Sequence, residues 1–303
     1  VLGGTSRIFE KSLRPAFDAC GQQVVAVASR DGDSLQPYQD LLARPDVDAV
    51  YNPLPNHLHA DWSHLALDAG KHVLCEKPLT FDPAQSASLF DHAESAGLVV
   101  MEAYVWPHHA RARRLLELVV GGEVGEPEWG SARFSWPMDM ASGDHRLDER
   151  GAGALFDVGI YCIAPFMLMA RRSPVVVTAN AVRNALGIDL SMSGWMDWGA
   201  GFGSAFHVSF DAPPVRDMTL TCSDGVIIVP GMHTPGPVEP SELIIHRRDG
   251  SVDHVTCAGG DAYAGLAQHF ADVVDGSTQA VFGRTESLRL AAVLRDLHIA
   301  SGR

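Results

Sequence analysis

Gly70-Lys71-His72-Val73-Leu74-Cys75-Glu76-Lys77-Pro78-Leu79-Thr80 reads as an apolar strand that ends in a Glu-Lys pair and a proline. Proline brings no N–H to a strand ladder, so the strand stops there and leaves Lys77 at its carboxyl end. In an open α/β sheet that edge is where ligands bind, and an ammonium held there beside a carboxylate can give or take a proton. A lone Glu-Lys-Pro is also what an ordinary surface turn looks like, since exposed charge pairs at strand ends carry little meaning. The flanking stretches decide between these readings.

Upstream, residues 47–52 form another apolar strand, followed by the turn Pro53-Leu54-Pro55-Asn56-His57-Leu58-His59 and a helix over 59–69 that stops at Gly70. His57 and His59 lie two apart in that turn, but no third ligand lies near. Hydrogen bonds to backbone or ribose are therefore the better reading, and no metal site is assigned. Val24-Val25-Ala26-Val27-Ala28-Ser29-Arg30 reads as a fully buried parallel strand with a polar end. In dinucleotide folds an acidic residue at that end binds a ribose 2′-hydroxyl, whereas arginine accommodates a 2′-phosphate. Ser29 and Arg30 thus favour NADP(H), while Asp31 immediately after them keeps NAD(H) open.

The chain opens on Val1-Leu2-Gly3-Gly4-Thr5-Ser6-Arg7-Ile8, a strand end running through glycines into a helix over 8–20. Such a turn lets a pyrophosphate approach the helix start, but the full Gly-x-Gly-x-x-Gly spacing is absent, so an ordinary strand-helix turn stands beside the nucleotide loop as a reading. Residues 31–48 are too few for the crossover helix and further strand that a doubly wound sheet needs, which implies omitted residues or a deletion. Downstream, Pro83 opens a helix to 96, and residues 97–103 give another buried strand.

The second half has a different texture. A helix over 109–120 closes at Gly121-Gly122, and the alternating Arg133-Phe134-Ser135-Trp136 is a strand. The polar loop Asp144-His145-Arg146-Leu147-Asp148 precedes the glycine-rich start of an apolar helix reaching 170, on which Asp157 and Tyr161 are four apart and so share a side. A polar pair on so apolar a helix must find partners or face a cavity. Strand-like runs at 175–182, 189–195, 203–210, 218–222, 226–229 and 242–246, with a hairpin at Asp224-Gly225, imply a large, mostly antiparallel sheet. Two helices, over 263–275 and 286–301, close the chain.

With 303 residues, 46% apolar and 20% charged, two domains are expected, at 1–105 and 106–303. Twenty-three Lys and Arg against 37 Asp and Glu leave a formal charge of −14, which repels nucleic acid and anionic membranes as general partners. The odd, scattered set Cys20, Cys75, Cys162, Cys222 and Cys257 reads as reduced core thiols, not a disulfide framework. No apolar run reaches the roughly 18 residues of a membrane span, and no leader pattern is present, so the expectation is a soluble cytoplasmic protein.

Together these stretches resemble the Gfo/Idh/MocA (glucose-fructose oxidoreductase, inositol dehydrogenase and MocA) family. The resemblance rests on Val50 through His59, Gly70 through Leu79, Met101-Glu102-Ala103, and Gly153-Ala154-Leu155-Phe156-Asp157-Val158-Gly159-Ile160-Tyr161-Cys162, in that order and spacing. It implies a Rossmann-type dinucleotide-binding domain followed by a domain with a large open β-sheet and flanking helices. Met-Glu-Ala combined with Asp-x-Gly-Ile-Tyr-Cys is closer to dihydrodiol dehydrogenases, NADP-dependent xylose dehydrogenases and 3-ketosugar reductases than to inositol dehydrogenases.

By that resemblance Lys77 is the catalytic lysine, Tyr161 a second catalytic hydroxyl, and Asp157 a carboxylate that orients substrate. The cofactor would be held by the loop Gly3, Gly4, Thr5, Ser6, Arg7 and Ile8; by Ser29 and Arg30; by Pro53, Leu54, Asn56 and His59; by Glu76 and Lys77; and by Arg146. Trp106 and His109 would line the substrate site with Asp157 and Tyr161. The chain departs from the family in carrying Gly3-Gly4 where relatives have one glycine before the threonine, and Pro107 where many have arginine.

The implied reaction moves a hydride between a nicotinamide and a hydroxyl or carbonyl carbon of a sugar or cyclic diol, with Lys77 and Tyr161 handling the proton. Three functions are carried forward: an NADP-dependent dehydrogenase, a 3-ketosugar reductase using the same site in reverse, and a non-catalytic NAD(P)-binding sensor. The family also implies a homodimer or homotetramer.

Overall fold

The computed structural model describes residues 1–30, 34, 36–231 and 239–302. Asp31, on which the NAD(H) alternative turned, lies outside them. The chain forms two compact units, the first made of residues 1–105 and 261–291, the second of 106–260 and 292–303.

In the first unit, a π-helical turn at Phe9–Leu13 runs into helix α1 (Arg14–Ala19), followed by α2 (Gln36–Leu42), strand β1 (Ala49–Asn52), α3 (His59–Asp68), β2 (His72–Cys75), α4 (Pro83–Ala96) and β3 (Val100–Glu102). β1, β2 and β3 pair in parallel in that order. Beyond β1 the Leu2 N–H donates to the Tyr51 carbonyl, and Leu2 in turn bridges Ala28 in parallel. The expected strand over 24–30 is reduced to a single bridge at Ala28, whose N–H donates to the Val1 carbonyl and whose carbonyl accepts from Gly4 N–H. The order Ala28, Leu2, β1, β2, β3 reverses direction at Leu2, which makes the glycine turn after it the switch point where such sheets bind ligands.

Proline at the start of α4, an Asp82 side chain accepting from Ala84 N–H, and left-handed Gly97 at its end delimit that helix as its sequence requires. The core behind the sheet is built from Leu2, Val50, Leu54, Val73, Leu89 and Phe90, with the Tyr38 and Trp62 rings packed edge to face at 5.0 Å.

Asp261–Ala291 belongs to this unit, which corrects the expectation that everything after 105 forms the second domain. Helix α7 (Ala262–Val274) accepts hydrogen bonds from Gln22 Nε2 at the Ala267 carbonyl (2.7 Å) and from Cys20 Sγ at the Ala264 carbonyl (3.3 Å). These bonds join residues about 245 apart in sequence, and local periodicity carries no trace of them.

The second unit contains α5 (Ala110–Val120), β4 (Pro127–Ser135), a π-helical turn (Leu155–Gly159), α6 (Ile160–Ala170) and strands β5 (Val176–Arg183), β6 (Asp189–Gly199), β7 (Phe202–Ser209), β8 (Val215–Cys222), β9 (Gly225–Pro230), β10 (Ser241–Arg247) and β11 (Val252–Cys257). They form one sheet in the order β11-β10-β9-β8-β4-β7-β6-β5, antiparallel except where β4 meets β7. A Cβ at Gly130 of β4 would stand 2.4 Å from the Phe166 ring, so glycine there lets α6 lie directly on the sheet. The other sheet face is half exposed, as the alternation of buried and half-buried residues along β7 and β9 shows. Helix α8 (Arg284–Ala300) ends the fold.

Candidate active site

The glycine turn is built for close approach. Gly3 has φ +71°, and a Cβ there would meet the Leu54 side chain at 3.1 Å; a Cβ on Gly4 would stand 2.3 Å from Val27 Cγ1 and 3.0 Å from Ser29 Oγ. Glycine is therefore favoured at position 3 by its left-handed backbone and at position 4 by the close approach of the Val27 and Ser29 side chains. Ser6 N–H donates to the Gly3 carbonyl, and a helix begins at Arg7, with Thr5 and Arg7 exposed and Ser6 and Ile8 half-buried. Its first N–H groups have no intrahelical acceptor, and the helix dipole makes that end positive. A pyrophosphate fits this end of the sheet. Ser29 and the exposed Arg30 follow the Ala28 bridge, with the Arg30 backbone hydrogen-bonded to the Tyr38 hydroxyl.

The turn after β1 is clamped from below. Asn52, fully buried, donates through Nδ2 to the His59 carbonyl (3.2 Å) and to Ser63 Oγ (3.1 Å), and accepts from Leu54 N–H. His59, also fully buried, places Nδ1 2.8 Å from the Pro78 carbonyl and Nε2 2.8 Å from the Leu54 carbonyl. Both ring nitrogens face backbone carbonyls, and the neutral ring donates its single N–H to one of them, so His59 packs the Pro53–Asn56 turn against the Lys77-Pro78 turn. The same neighbourhood bears on its charge: burial pushes its pKa down to about 4, against the pull of those two carbonyls. Among the described residues no group of three or more His, Cys, Asp or Glu is placed to hold a metal.

At the end of β2, Glu76 N–H donates to the Asn52 carbonyl, and the Tyr51 hydroxyl donates to Glu76 Oε1 at 2.7 Å. Lys77 N–H lies 3.3 Å from Glu76 Oε2, the Lys77–Pro78 bond is cis, and the Lys77 side chain is half-buried. Two residues on, the Leu79 N–H donates to Glu102 Oε1 at 3.0 Å. Lys77 is thus held at the carboxyl edge of the sheet by a turn fixed on both sides.

In the second unit, Trp106 and His109 are both 2% exposed. His109 caps α5: its Nδ1 accepts from Arg111 N–H at 3.1 Å, which leaves the proton on Nε2, a buried donor with no acceptor among the described residues. Burial lowers the His109 pKa, helped by the nearby charges of Arg111 and Arg113, and favours this neutral tautomer.

The Gly151-Ala152-Gly153 turn explains the glycines ahead of Asp157. A Cβ on Gly151 would sit 2.6 Å from Arg146 Cα, and one on Gly153, at φ +90°, 2.4 Å from Asp189 Oδ1. This packing brings Arg146 onto two carboxylates: Nε and Nη2 grip Asp144 at 2.9 and 2.7 Å, and Nη1 lies 3.4 Å from Asp157 Oδ2. Asp157 sits in the π-helical turn, and Tyr161 follows in α6 with its ring 5.7 Å from Phe134. A π-turn widens the helix by one residue per turn, a distortion concentrated at functional sites.

Two site-supporting residues escaped the sequence reading. Asp189, from the start of β6, accepts from Leu155 N–H at 2.8 Å and caps the Asp157 helix, and burial pushes its pKa up to about 6. Glu102 was visible only as part of Met-Glu-Ala; a carboxylate in so apolar a strand was the available signal.

Residues 2–104 match the GFO/IDH/MocA oxidoreductase family, NAD-binding Rossmann fold, and residues 112–228 match the GFO/IDH/MocA C-terminal domain. The chain is 33% identical over 299 residues to D-xylose 1-dehydrogenase (NADP(+)) 2 of Haloferax volcanii, covering 94% of this chain and 91% of that protein. It is 33% identical over 291 residues to dTDP-3,4-didehydro-2,6-dideoxy-alpha-D-glucose 3-reductase of Streptomyces violaceoruber, covering 90% and 84%. The crystal structure of a 3-ketoreductase from Actinomadura kijaniata in complex with NADP and TDP-benzene superposes with a TM-score of 0.88 at 28% identity, covering 99% of this chain and 96% of that one. This chain belongs to the GFO/IDH/MocA family of oxidoreductases.

Proposed function

We propose that the protein is an NADP(H)-dependent oxidoreductase that interconverts a hydroxyl and a carbonyl on a sugar or related cyclic diol. The observation that carries this is Lys77, held by a fixed turn at the carboxyl edge of a sheet whose switch point is a glycine cradle. When bound, NADP(H) supplies or accepts the hydride at its nicotinamide ring. Lys77 gives the proton to the carbonyl oxygen in reduction and takes it from the hydroxyl in oxidation, with the Tyr161 hydroxyl assisting. Asp157, steadied by Arg146, accepts hydrogen bonds from substrate hydroxyls, and His109 Nε2–H offers a donor to a substrate oxygen.

Trp106 supplies an apolar ring for a pyranose face. Arg30 with Ser29 accounts for preference toward a 2′-phosphate. Arg146, its donors directed at two carboxylates, serves the substrate side more than the cofactor. The half-exposed sheet face supports a homodimer or homotetramer. Five free cysteines support a reducing, cytoplasmic setting, and no helix among the described residues is long and apolar enough to cross a membrane. The curated 3-reductase relative favours the reductive direction on a 3-ketosugar as a second reading.

The test is a nicotinamide-fluorescence titration with NADPH and NADH, followed by turnover of D-xylose, D-glucose, trans-1,2-cyclohexanediol and a methyl 3-ketoglucoside by wild type and Lys77→Ala. NADPH preference with turnover lost in Lys77→Ala supports the reading. Turnover surviving in Lys77→Ala removes Lys77 from the chemistry.

A further inference from the structure

Glu102 ends β3 directly beside Cys75 of β2, at 2% exposure. A carboxyl buried this deeply costs stability unless it is hydrogen-bonded or faces a charge. Glu102 has both kinds of partner. Its Oε1 accepts the Leu79 N–H at 3.0 Å, two residues past Lys77, and the Ser287 hydroxyl of α8 is buried alongside with no other partner among the described residues. The Lys77 ammonium acts on the carboxylate from the adjoining turn.

We propose that Glu102 is a positioning residue for the reaction: when ionised it holds both the Lys77 charge and the backbone that follows it, and when protonated it holds the backbone alone. This rests on the reading of Lys77 as the proton donor and acceptor. The groups that face Glu102 are Lys77 and Glu76 from the turn, Cys75 from β2 and Ser287 from α8. Burial pushes the Glu102 pKa up to about 7 and Glu76 adds to that, while Ser287, the Leu79 N–H and Lys77 pull it back. Its ionisation therefore falls near neutral pH, with the held state above about 7 and the loosened state below.

The measurement is kcat/KM against pH in the reductive direction, using the panel substrate with the highest turnover, for wild type, Glu102→Gln and Lys77→Met. In wild type the rate is expected to rise roughly tenfold through an inflection near pH 7, the size expected for one charge-assisted contact. Glu102→Gln keeps an acceptor for Leu79 N–H, so its melting temperature should stay close to wild type while the inflection disappears and the rate stays at the low level. An inflection that persists in Glu102→Gln overturns the proposal.

If Glu102→Gln does not fold, the infrared C=O band of the buried carboxyl carries the test. Removing the Lys77 charge in Lys77→Met should make that band persist to higher pH than in wild type, because coupling between the two sites is reciprocal. An unmoved band overturns the proposal. Full turnover in Lys77→Met instead overturns the assignment of Lys77 itself, a result separate from either outcome for Glu102.

Discussion

Arg146 Nη1 stands 3.4 Å from Asp157 Oδ2 while the remaining edge of the same guanidinium holds Asp144 in a fork. The grip is firm enough that the Arg146 hydrogen bond holds the Asp144 pKa down to about 2. Lysine cannot reproduce a planar fork that reaches two carboxylates at once. Arg146→Lys is expected to raise KM for the sugar by about ten- to a hundredfold, from a lost charged contact of roughly 1.5–3 kcal/mol, with a smaller change in kcat. Steady-state kinetics check this, and an unchanged KM would remove Arg146 from the substrate side.

The glycine turn gives a prediction about cofactor binding alone. A Cβ at position 4 stands 2.3 Å from Val27 Cγ1, so Gly4→Ala must push the turn away from the strand beneath it. Overpacking of this kind costs about 1–3 kcal/mol, and the Kd for NADPH should rise by about tenfold or more. Fluorescence titration reads it directly, and a Kd within twofold of wild type would count against this loop as the phosphate cradle.

Arg30 is exposed beside half-buried Ser29 at the end of the Ala28 bridge. Arg30→Asp replaces a cation suited to a 2′-phosphate with a carboxylate suited to a 2′-hydroxyl. The ratio of kcat/KM for NADPH over NADH should fall by about tenfold or more, in line with the loss of a charged hydrogen bond. A ratio that does not move places 2′-phosphate recognition elsewhere.

Asp189 yields a prediction about stability. Its pKa is raised to about 6 in the fold, chiefly by burial, so the folded chain binds this proton more tightly than the unfolded chain. The contribution is fully present below about pH 4 and is lost as pH rises through about 6. Asp189→Asn retains an acceptor for the Leu155 N–H and has no charge to bury. At pH 7 it should melt a few degrees above wild type, at about 2–4 °C per kcal/mol, and at pH 4 it should show no such gain. Calorimetry at the two values decides it, since a gain of equal size at both would mean that the carboxylate charge plays no part.

The strand ending at Glu76-Lys77-Pro78, the opening glycine turn and the helix carrying Asp157 and Tyr161 were legible because each is written in a short run of sequence. A proline stops its own strand, and apolar periodicity shows within a single element. What stayed hidden depends on distant partners. Asp189 caps Leu155 from 34 residues away, and the sequence around each gives no sign of the other. The turn around His59 reads as hydrogen bonding to backbone or ribose, and the fold turns both of its nitrogens toward the backbone carbonyls of Leu54 and Pro78, which the sequence alone does not single out. The stretch 24–30 reads as a strand, but within it only Ala28 forms a bridge, to Leu2. Inserted π-turns such as Leu155–Gly159 have no compositional mark.

The unit built from residues 1–105 takes its missing helix from Asp261–Ala291. During synthesis the ribosome delivers the sheet of β1, β2 and β3 first, but the partner for Cys20 and Gln22 emerges some 240 residues later. By then the whole stretch from Trp106 to Gly260 has left the tunnel. Neither unit is therefore finished before the last part of the chain is made, since one needs residues 261–291 and the other 292–303. The nascent sheet must wait with one flank bare, and a chain terminated early would carry Lys77 and the glycine turn on a unit that has never closed.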